Sequence, residues 1–401
     1  MINSAVILCG GYGKRLLPLT KKIPKPMVNV LKKPFLYYLI KQCKSNGIKE
    51  IILLCGYKSE LIQKYFGNGN KLGIKIKYNF NPPQINTYKR IIEAQKILKN
   101  DFLLLYADNY ASLNLHDMYT SYKKLNSKLL ISITKKNYGN IKISNCKRKL
   151  IKKYYFKKNP EVKNVEIGYM IVNKKVLLKY YDNKNSSINR LIEILSTKNL
   201  VNYYHNDTGY LSISDKTRLK KTIKAFKRRV LLIDRDGVLN EKNKNHYYVR
   251  NVNELKINRK LINKLKKVMY KNTILCISNQ AGIATGDLKK LNLKMINNKI
   301  NKYLKKLNCQ IKEFFISYDH FSSLSFFRKP RHGLFLKAAE KYGFILDQTC
   351  YIGDDIRDIE SAYNAKTKCL YVGKDQIKSS LIKRYRNILI SYKELKKIYE
   401  K

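Results

Sequence analysis

Short apolar runs, most of them breaking at a glycine or an acidic residue, alternate with amphipathic stretches along this chain. That alternation points to parallel α/β architecture. In the first half SAVILCGG, EIILLCGY, IKIKYNF, DFLLLYADN and KLLISITKK read as strands. Between them KPFLYYLIKQCKSNG, closed by Gly47, and TYKRIIEAQKILKN read as helices. A second series opens at VLLIDRDG and runs through TILCISNQ, a helix from about Leu288 to Leu307, IKEFFISYD and QTCYIGDD. The strongly basic KTIKAFKRR, residues 221–229, reads as a linker between the two series. The expected organisation is a domain over 1–220, a second over 230–378, and a helical tail over 379–401 that ends in a surface helix. At 401 residues, each domain has enough chain for its own core.

Composition narrows the function classes. No apolar run approaches the roughly 18 to 20 residues that span a bilayer, so no membrane association is expected. The opening MINSAVILCGG reads as a buried strand entering a glycine loop and not as a secretory leader. A cytoplasmic protein is expected, with its eight cysteines reduced and used as small core residues. The net charge of +55 raises a nucleic-acid reading. However, lysine is scattered over both halves among many Asn, Ile and Tyr, with no recognition-helix pattern, aromatic RNA-binding motif or zinc finger. The charge favours small polyanionic substrates and no specific nucleic acid. Homo-oligomerisation is left open.

Gly10, Gly11 and Gly13 directly follow the first strand, so backbone amides can approach a polyphosphate closely. Arg15 projects from the same loop, and Lys25 lies on a stiff segment between Pro24 and Pro26. The spacing is neither that of a P-loop nor of a dinucleotide-binding βαβ turn. The whole string GGYGKRLLPLTKKIPKP resembles the sugar-1-phosphate nucleotidyltransferases, over roughly residues 1 to 220. That resemblance implies a mixed, GT-A-like Rossmann sheet. It also implies Mg²⁺ on Asp108 (in LLLYADN) and Asp207 (in NDTGY), and Thr87 with the glycines at the nucleotide. Lys158 (in YYFKKN), Glu166 and Gly168 (in EIGYMIV) would then meet the sugar phosphate. The implied reaction is in-line attack of a sugar phosphate on the α-phosphorus of an NTP, with Arg15 and Lys25 stabilising the departing pyrophosphate. Two departures affect base and sugar preference: Asn86 stands where the family has glycine before Thr87, and Lys157 replaces a glutamate before Lys158.

In the second series Asp234 and Asp236 lie two residues apart just past a strand, which suits a nucleophile and a general acid/base. Ser278 and Asn279 follow the next strand, Lys329 lies in RKP, and Asp354 and Asp355 follow the last strand. This ordered set resembles the haloacid dehalogenase superfamily, in its subgroup of histidinol-phosphatases and heptose 1,7-bisphosphate 7-phosphatases. The resemblance covers about residues 229–375. It implies a parallel HAD-like sheet and an aspartyl-phosphate on Asp234, with Asp236 as acid and base. Ser278, Asn279, Arg328 and Lys329 would hold the phosphoryl group and substrate, and Mg²⁺ would lie among Asp234, Asp236, Asp354 and Asp355. The subgroup's zinc loop reads here as Ser317, Asp319, Ser325 and Phe327, so no zinc is expected.

Together these readings give an α/β chain of two Rossmann-like domains. The expectation is a bifunctional enzyme that removes the 7-phosphate of a heptose 1,7-bisphosphate and couples the heptose 1-phosphate to a nucleotide, with GTP favoured. Alternatives are a histidinol-phosphate or other sugar phosphatase joined to a hexose-1-phosphate transferase, a regulatory NDP-sugar-binding domain joined to an active phosphatase, and, on charge alone, a nucleic-acid binder.

Overall fold

The computed structural model describes residues 2–182, 187–243, 248–270 and 272–400. The chain divides into two compact units, Met1–Ile223 and Lys224–Lys401. The division falls inside a helix, Lys216–Lys227, so most of the expected linker is helical.

The first unit is built on a nine-stranded mixed sheet. Ser4–Cys9 lies at its centre, parallel to both Glu50–Cys55 and Asp101–Tyr106. Lys75–Phe80 extends the parallel side. On the other side Asn164–Asn173 runs antiparallel to Asp101–Tyr106 and to Leu129–Lys135, which pairs in turn with Val201–His205. The register sets Cys9 against Cys55, Cys55 against Phe80 and Leu8 against Tyr106. The parallel strands therefore end level, and open α/β sheets bind ligands beyond such carboxyl ends. Valine, isoleucine and leucine fill these central strands because both faces are covered.

The second unit is a five-stranded, all-parallel sheet. Its order is Ile311–Ser317, Thr273–Asn279, Val230–Ile233, Cys350–Gly353, Lys368–Tyr371. Val230–Ile233 is central, so Asp234 emerges in the middle of the carboxyl edge, its amide bonded to Ile352 O at 2.9 Å. Two apolar clusters pack on opposite faces.

Two expectations change, one for a helix and one for a cysteine. The helix expected from Thr87 to Asn100 is regular only over Thr87–Glu93 and ends in a short 3-10 turn. The helix expected over about Leu288–Leu307 is present, over Lys290–Lys305. The expected terminal surface helix is Tyr392–Tyr399, with Lys393, Glu394, Lys397 and Ile398 exposed and Leu395 and Tyr399 buried on its packed face. There the Tyr399 hydroxyl accepts from Cys350 N at 2.9 Å and donates to Val230 O. Seven cysteines are buried as expected, but Cys146 is exposed. Among the described residues no helix is long and apolar enough to cross a membrane.

Candidate functional sites

In the first unit a cleft of 340 Å³ opens at the carboxyl ends of the parallel strands. It is walled by Leu8, Cys9, Gly11, Lys25, Pro26, Thr87, Tyr106, Ala107, Asp108 and Ser187–Asn189. Lys25 and Asp108, 83 residues apart in sequence, meet there in a direct ion pair. The Pro24–Pro26 segment fixes the lysine, and Asp108 sits where Asp101–Tyr106 ends, its carbonyl accepting from Ile213 N at 2.9 Å. Gly10 lies buried just behind this wall, and Gly13 abuts Lys25 Cβ. Thr87 lines the cleft, but its hydroxyl already accepts from Ile188 N at 3.1 Å.

Other sequence-selected residues lie outside this cleft lining. Arg15 is exposed. Asp207 is exposed, with its carboxylate 3.0 Å from His205 Nδ1, so the carboxylate lining the cleft is Asp108 and not a pair. Lys158 is exposed, with its ammonium 4.2 Å from the centre of the Tyr138 ring. Gly168 packs against the Tyr106 ring. Glu166 is enclosed, and Tyr154 donates to it at 3.5 Å. Burial pushes its carboxyl up to about 7, against the opposing hydrogen bonds of Tyr106 and Tyr154.

A raised carboxyl is a stability cost once ionised. Between the ordinary glutamate value and about 7 the folded state keeps a proton that the unfolded chain releases. Stability therefore falls as pH rises through that window and stays lowered above it. Glu166→Gln should stabilise the first unit at pH 8 by on the order of 2 kcal/mol and change little near pH 4.5. Thermal melts at the two pH values check this, and an equal shift at both would refute it.

The second unit carries a pocket of 630 Å³ lined by Asp234, Asp236, Ser278, Asn279, Arg328, Lys329, Asp354, Asp355 and Asp358, with Lys242, Asn243, Tyr248 and Arg357. Lys329 is buried and bridges Asp234 Oδ2 at 3.0 Å and Asp358 Oδ1 at 2.7 Å. It also donates to the Tyr351 hydroxyl at 2.8 Å. Burial alone would lower its pKa, but Asp234 and Asp358 raise it and keep it charged. Asn279 uses both ends of its amide on the Lys329 backbone, at 3.0 and 3.1 Å, so it clamps the lysine. Ser278 Oγ accepts from Gln280 Nε2 at 2.9 Å. Gly237 takes a positive φ of 82°, and a Cβ there would stand 2.0 Å from Asp354 Oδ2, so this turn excludes any side chain.

The carboxylates regroup relative to the sequence expectation. Asp234, Asp354 and Asp358 offer oxygens all within 4.8 Å of one another, an arrangement that could hold a divalent ion. Asp354 Oδ1 is buried with no hydrogen-bond partner, which fits an open coordination position. Asp355 instead caps the helix Ile356–Asn364 and pairs with Arg357 at 2.8 Å. Asp236 accepts from Arg235 at 3.0 Å, Asn240 at 2.9 Å and Gln280 at 2.6 Å. Burial would raise Asp236, yet Arg235 and these amides hold it below the usual carboxylate range. Asp234 is pushed the other way, by burial and by its acidic neighbours, against Lys329.

Because a ligand carboxylate must lose its proton to bind metal, a raised Asp234 makes metal affinity depend on pH. Mn²⁺ binding followed by water-proton relaxation should tighten about tenfold per pH unit while one proton is displaced, and level off above the raised pKa. Affinity flat from pH 6 to 8 would mean that Asp234 is already ionised.

Sequence reasoning missed three residues here. Asp358 sits inside the quoted YIGDDIRD, and its signal was the four-residue step from Asp354 into a helix start. Arg235, fully buried, holds Asp236 from within the same motif. Lys242 reaches Asp354 Oδ2 at 2.7 Å from a segment with no motif. At the loop before RKP, Ser317 and Ser325 both donate to Asp319 Oδ2, at 2.8 and 2.6 Å, and Arg328 donates to Asp319 O at 3.1 Å.

Comparison with known proteins follows the same division. The nucleotidyl transferase family model matches residues 4–211, and the polynucleotide kinase 3 phosphatase model matches residues 229–377. The D-glycero-alpha-D-manno-heptose 1-phosphate guanylyltransferase of Campylobacter jejuni is 39% identical over 144 residues, covering 35% of this chain and 62% of that protein. The enzyme of the same name from Aneurinibacillus thermoaerophilus is 33% identical over 130 residues, 32% of this chain and 56% of that protein. The chain thus spans less than two thirds of these curated relatives. HddC from Yersinia pseudotuberculosis, solved with GMP-PN, aligns at 24% identity and a TM-score of 0.47 over 56% of this chain and 99% of its own. With its glycine loop, Lys25 and Asp108 on the first sheet and an aspartate-lysine pocket on the second, the chain belongs to the nucleotidyl transferase family and carries a phosphatase domain of the polynucleotide kinase 3 phosphatase type.

Proposed function

We propose that the chain catalyses two steps on one sugar: hydrolysis of the 7-phosphate of D-glycero-D-manno-heptose 1,7-bisphosphate, then transfer of GMP from GTP to the heptose 1-phosphate. The observation that carries this reading is the union, in one chain, of an Asp234–Lys329 phosphatase pocket with a unit whose relatives include heptose 1-phosphate guanylyltransferases.

In the first step an Asp234 carboxylate oxygen bonds to the 7-phosphorus as the P–O bond to the sugar breaks. Asp236 supplies the proton to the departing sugar oxygen. Its contacts with Arg235, Asn240 and Gln280 favour the ionised form, so it must leave that pose, or take up a proton there, before it can donate. It then takes a proton from the water that cleaves the aspartyl-phosphate, and orthophosphate leaves. Lys329 and Ser278 neutralise and orient the transferring group, and Arg328 meets the remainder of the substrate. Mg²⁺, held by Asp234, Asp354 and Asp358, would supply further neutralising charge.

In the second step an oxygen of the heptose 1-phosphate attacks the α-phosphorus of GTP and pyrophosphate departs. Lys25 balances the charge passing to pyrophosphate, with Arg15 drawn in from the exposed loop. Mg²⁺ at Asp108 would supply the same kind of charge there. Lys158, Glu166 and Gly168 would face the sugar phosphate. A cytoplasmic location fits the nucleotide substrate.

The test is ³¹P NMR of the protein with Mg²⁺, GTP and the bisphosphate. Orthophosphate followed by pyrophosphate and a diphosphodiester signal is expected, and no change would refute the reading. The match to a polynucleotide kinase 3 phosphatase model favours a second substrate for the second unit, a 3′-phosphorylated nucleic acid end. Release of orthophosphate from a 3′-phosphorylated oligonucleotide, faster than from the bisphosphate, would establish that alternative.

A further inference from the structure

Arg90 is 2% exposed and forms no ion pair among the described residues. Its guanidinium donates only to backbone carbonyls: Nη1 to Cys55 O at 2.6 Å and Asn81 O at 3.3 Å, Nη2 to Pro82 O at 2.9 Å and Ile85 O at 3.2 Å. These acceptors lie at the ends of two parallel strands, Glu50–Cys55 and Lys75–Phe80, and in the turn that leads to Thr87. The third strand end, after Ser4–Cys9, is held by shape. A Cβ built on Gly10 would stand 2.3 Å from the Arg90 guanidinium carbon, and one on Gly56 would stand 2.6 Å from Gly10 O. Two glycines thus clear the space that the guanidinium fills, directly behind the cleft wall made by Cys9 and Gly11.

A buried charge is costly unless it meets an opposite charge. The two thiols nearest the guanidinium supply none. Burial raises Cys9 well above the ordinary thiol value and Cys55 to about 12, so both stay protonated. Arginine itself stays charged. Carbonyl dipoles solvate the cation without neutralising it. Cys9 and Gly11, on either side of the Gly10 that the guanidinium abuts, line the cleft, so an anion held there would lie across the glycine loop from Arg90.

We infer that Arg90 is the positioning residue of the nucleotide cleft: it ties the loops after three parallel strands to one planar group and places an unneutralised positive charge behind the loop that receives the polyphosphate. The inference rests on the nucleotidyl-transfer reading of this unit. It gives the polar face of a short helix a role that no glycine-loop motif contains. It also separates two properties. The planar fork sets loop geometry, and the charge sets affinity for the anion.

The experiment compares the full chain with Arg90→Met and Arg90→Lys, measuring binding of GTP, guanosine and inorganic triphosphate by calorimetry with Mg²⁺ present. Arg90→Met is expected to weaken GTP and triphosphate at least tenfold and guanosine much less. Arg90→Lys is expected to recover triphosphate binding while leaving the KM for GTP raised, because one ammonium cannot serve four carbonyls. A purely structural role would weaken all three ligands alike in both variants, and that result overturns the inference. GTP binding by a folded Arg90→Met equal to that of the unaltered chain overturns it too. Should Arg90→Met fail to fold by circular dichroism, Arg90→Lys decides: unaltered KM for GTP refutes the fork. Failure of the unaltered chain to bind any nucleoside triphosphate would bring down the underlying reading and the inference with it, whereas normal wild-type binding with unaffected variants brings down the inference alone.

Discussion

Asp234→Asn is expected to abolish phosphate release, with a loss of at least about a thousandfold in kcat, while pyrophosphate release by the first unit continues. The amide keeps the size of the side chain but cannot attack phosphorus. It also removes the anion that Lys329 faces at 3.0 Å. Lys329 retains Asp358 at 2.7 Å, so its position should hold and the pocket should stay folded. A structural defect would appear as a lowered melting temperature, whereas the expected variant melts like the parent. It should also bind Mn²⁺ more weakly, because one oxygen of the Asp234, Asp354, Asp358 cluster loses its charge. If Asp234→Asn kept a tenth of the activity, Asp236 or Asp354 would have to supply the nucleophile.

The second large effect is in the first unit. Lys25→Met is expected to lower kcat for pyrophosphate release by roughly a hundred- to a thousandfold and to leave phosphate release unchanged. Lys25 meets Asp108 directly inside the cleft, so the substitution also removes the charge nearest that carboxylate. Asp108→Asn should have a comparable effect for a different reason, the loss of a metal-binding anion. The two can be told apart by raising Mg²⁺: the Asp108→Asn defect should ease partly, and the Lys25→Met defect should not. Equal rescue of both would mean that Lys25 acts only by orienting Asp108.

The sites were legible where the chemistry sits on the strand ends themselves. Asp108, Asp234, Ser278 and Asp354 each follow an apolar run, and a parallel sheet puts all such positions on one edge. Lys25 was legible because two prolines fix it. What could not be read is which neighbour each charge chooses. Asp355 and Asp358 are both near-neighbours of Asp354 in sequence. Helix geometry turns Asp358 into the pocket, and the cap role draws Asp355 to the Arg357 amide and guanidinium. Arg90 was hidden for the same reason. On a short amphipathic helix an arginine reads as solvated, and only the side-chain-free surfaces of Gly10 and Gly56, 80 and 34 positions earlier in the chain, make room to bury it. The final helix was legible as a surface helix, but not the buried role of Leu395 and Tyr399, four positions apart among lysines.

That helix has a consequence for biosynthesis. Tyr399 joins the carbonyl of Val230 to the amide of Cys350, linking the first strand of the phosphatase sheet to a neighbour made 120 residues later. A nascent chain can complete the transferase unit as soon as its own residues have left the ribosome, and domains do fold in the order of synthesis. All five strands of the phosphatase sheet are made once Tyr371 has emerged, but the Tyr399 link between Val230 and Cys350 can be added only when the segment around residue 399 follows. A ribosome stalled between residues 371 and 399 would therefore carry a phosphatase sheet with all its strands but without this last link. Of the two units, the one proposed to act first on the sugar would be the later to mature.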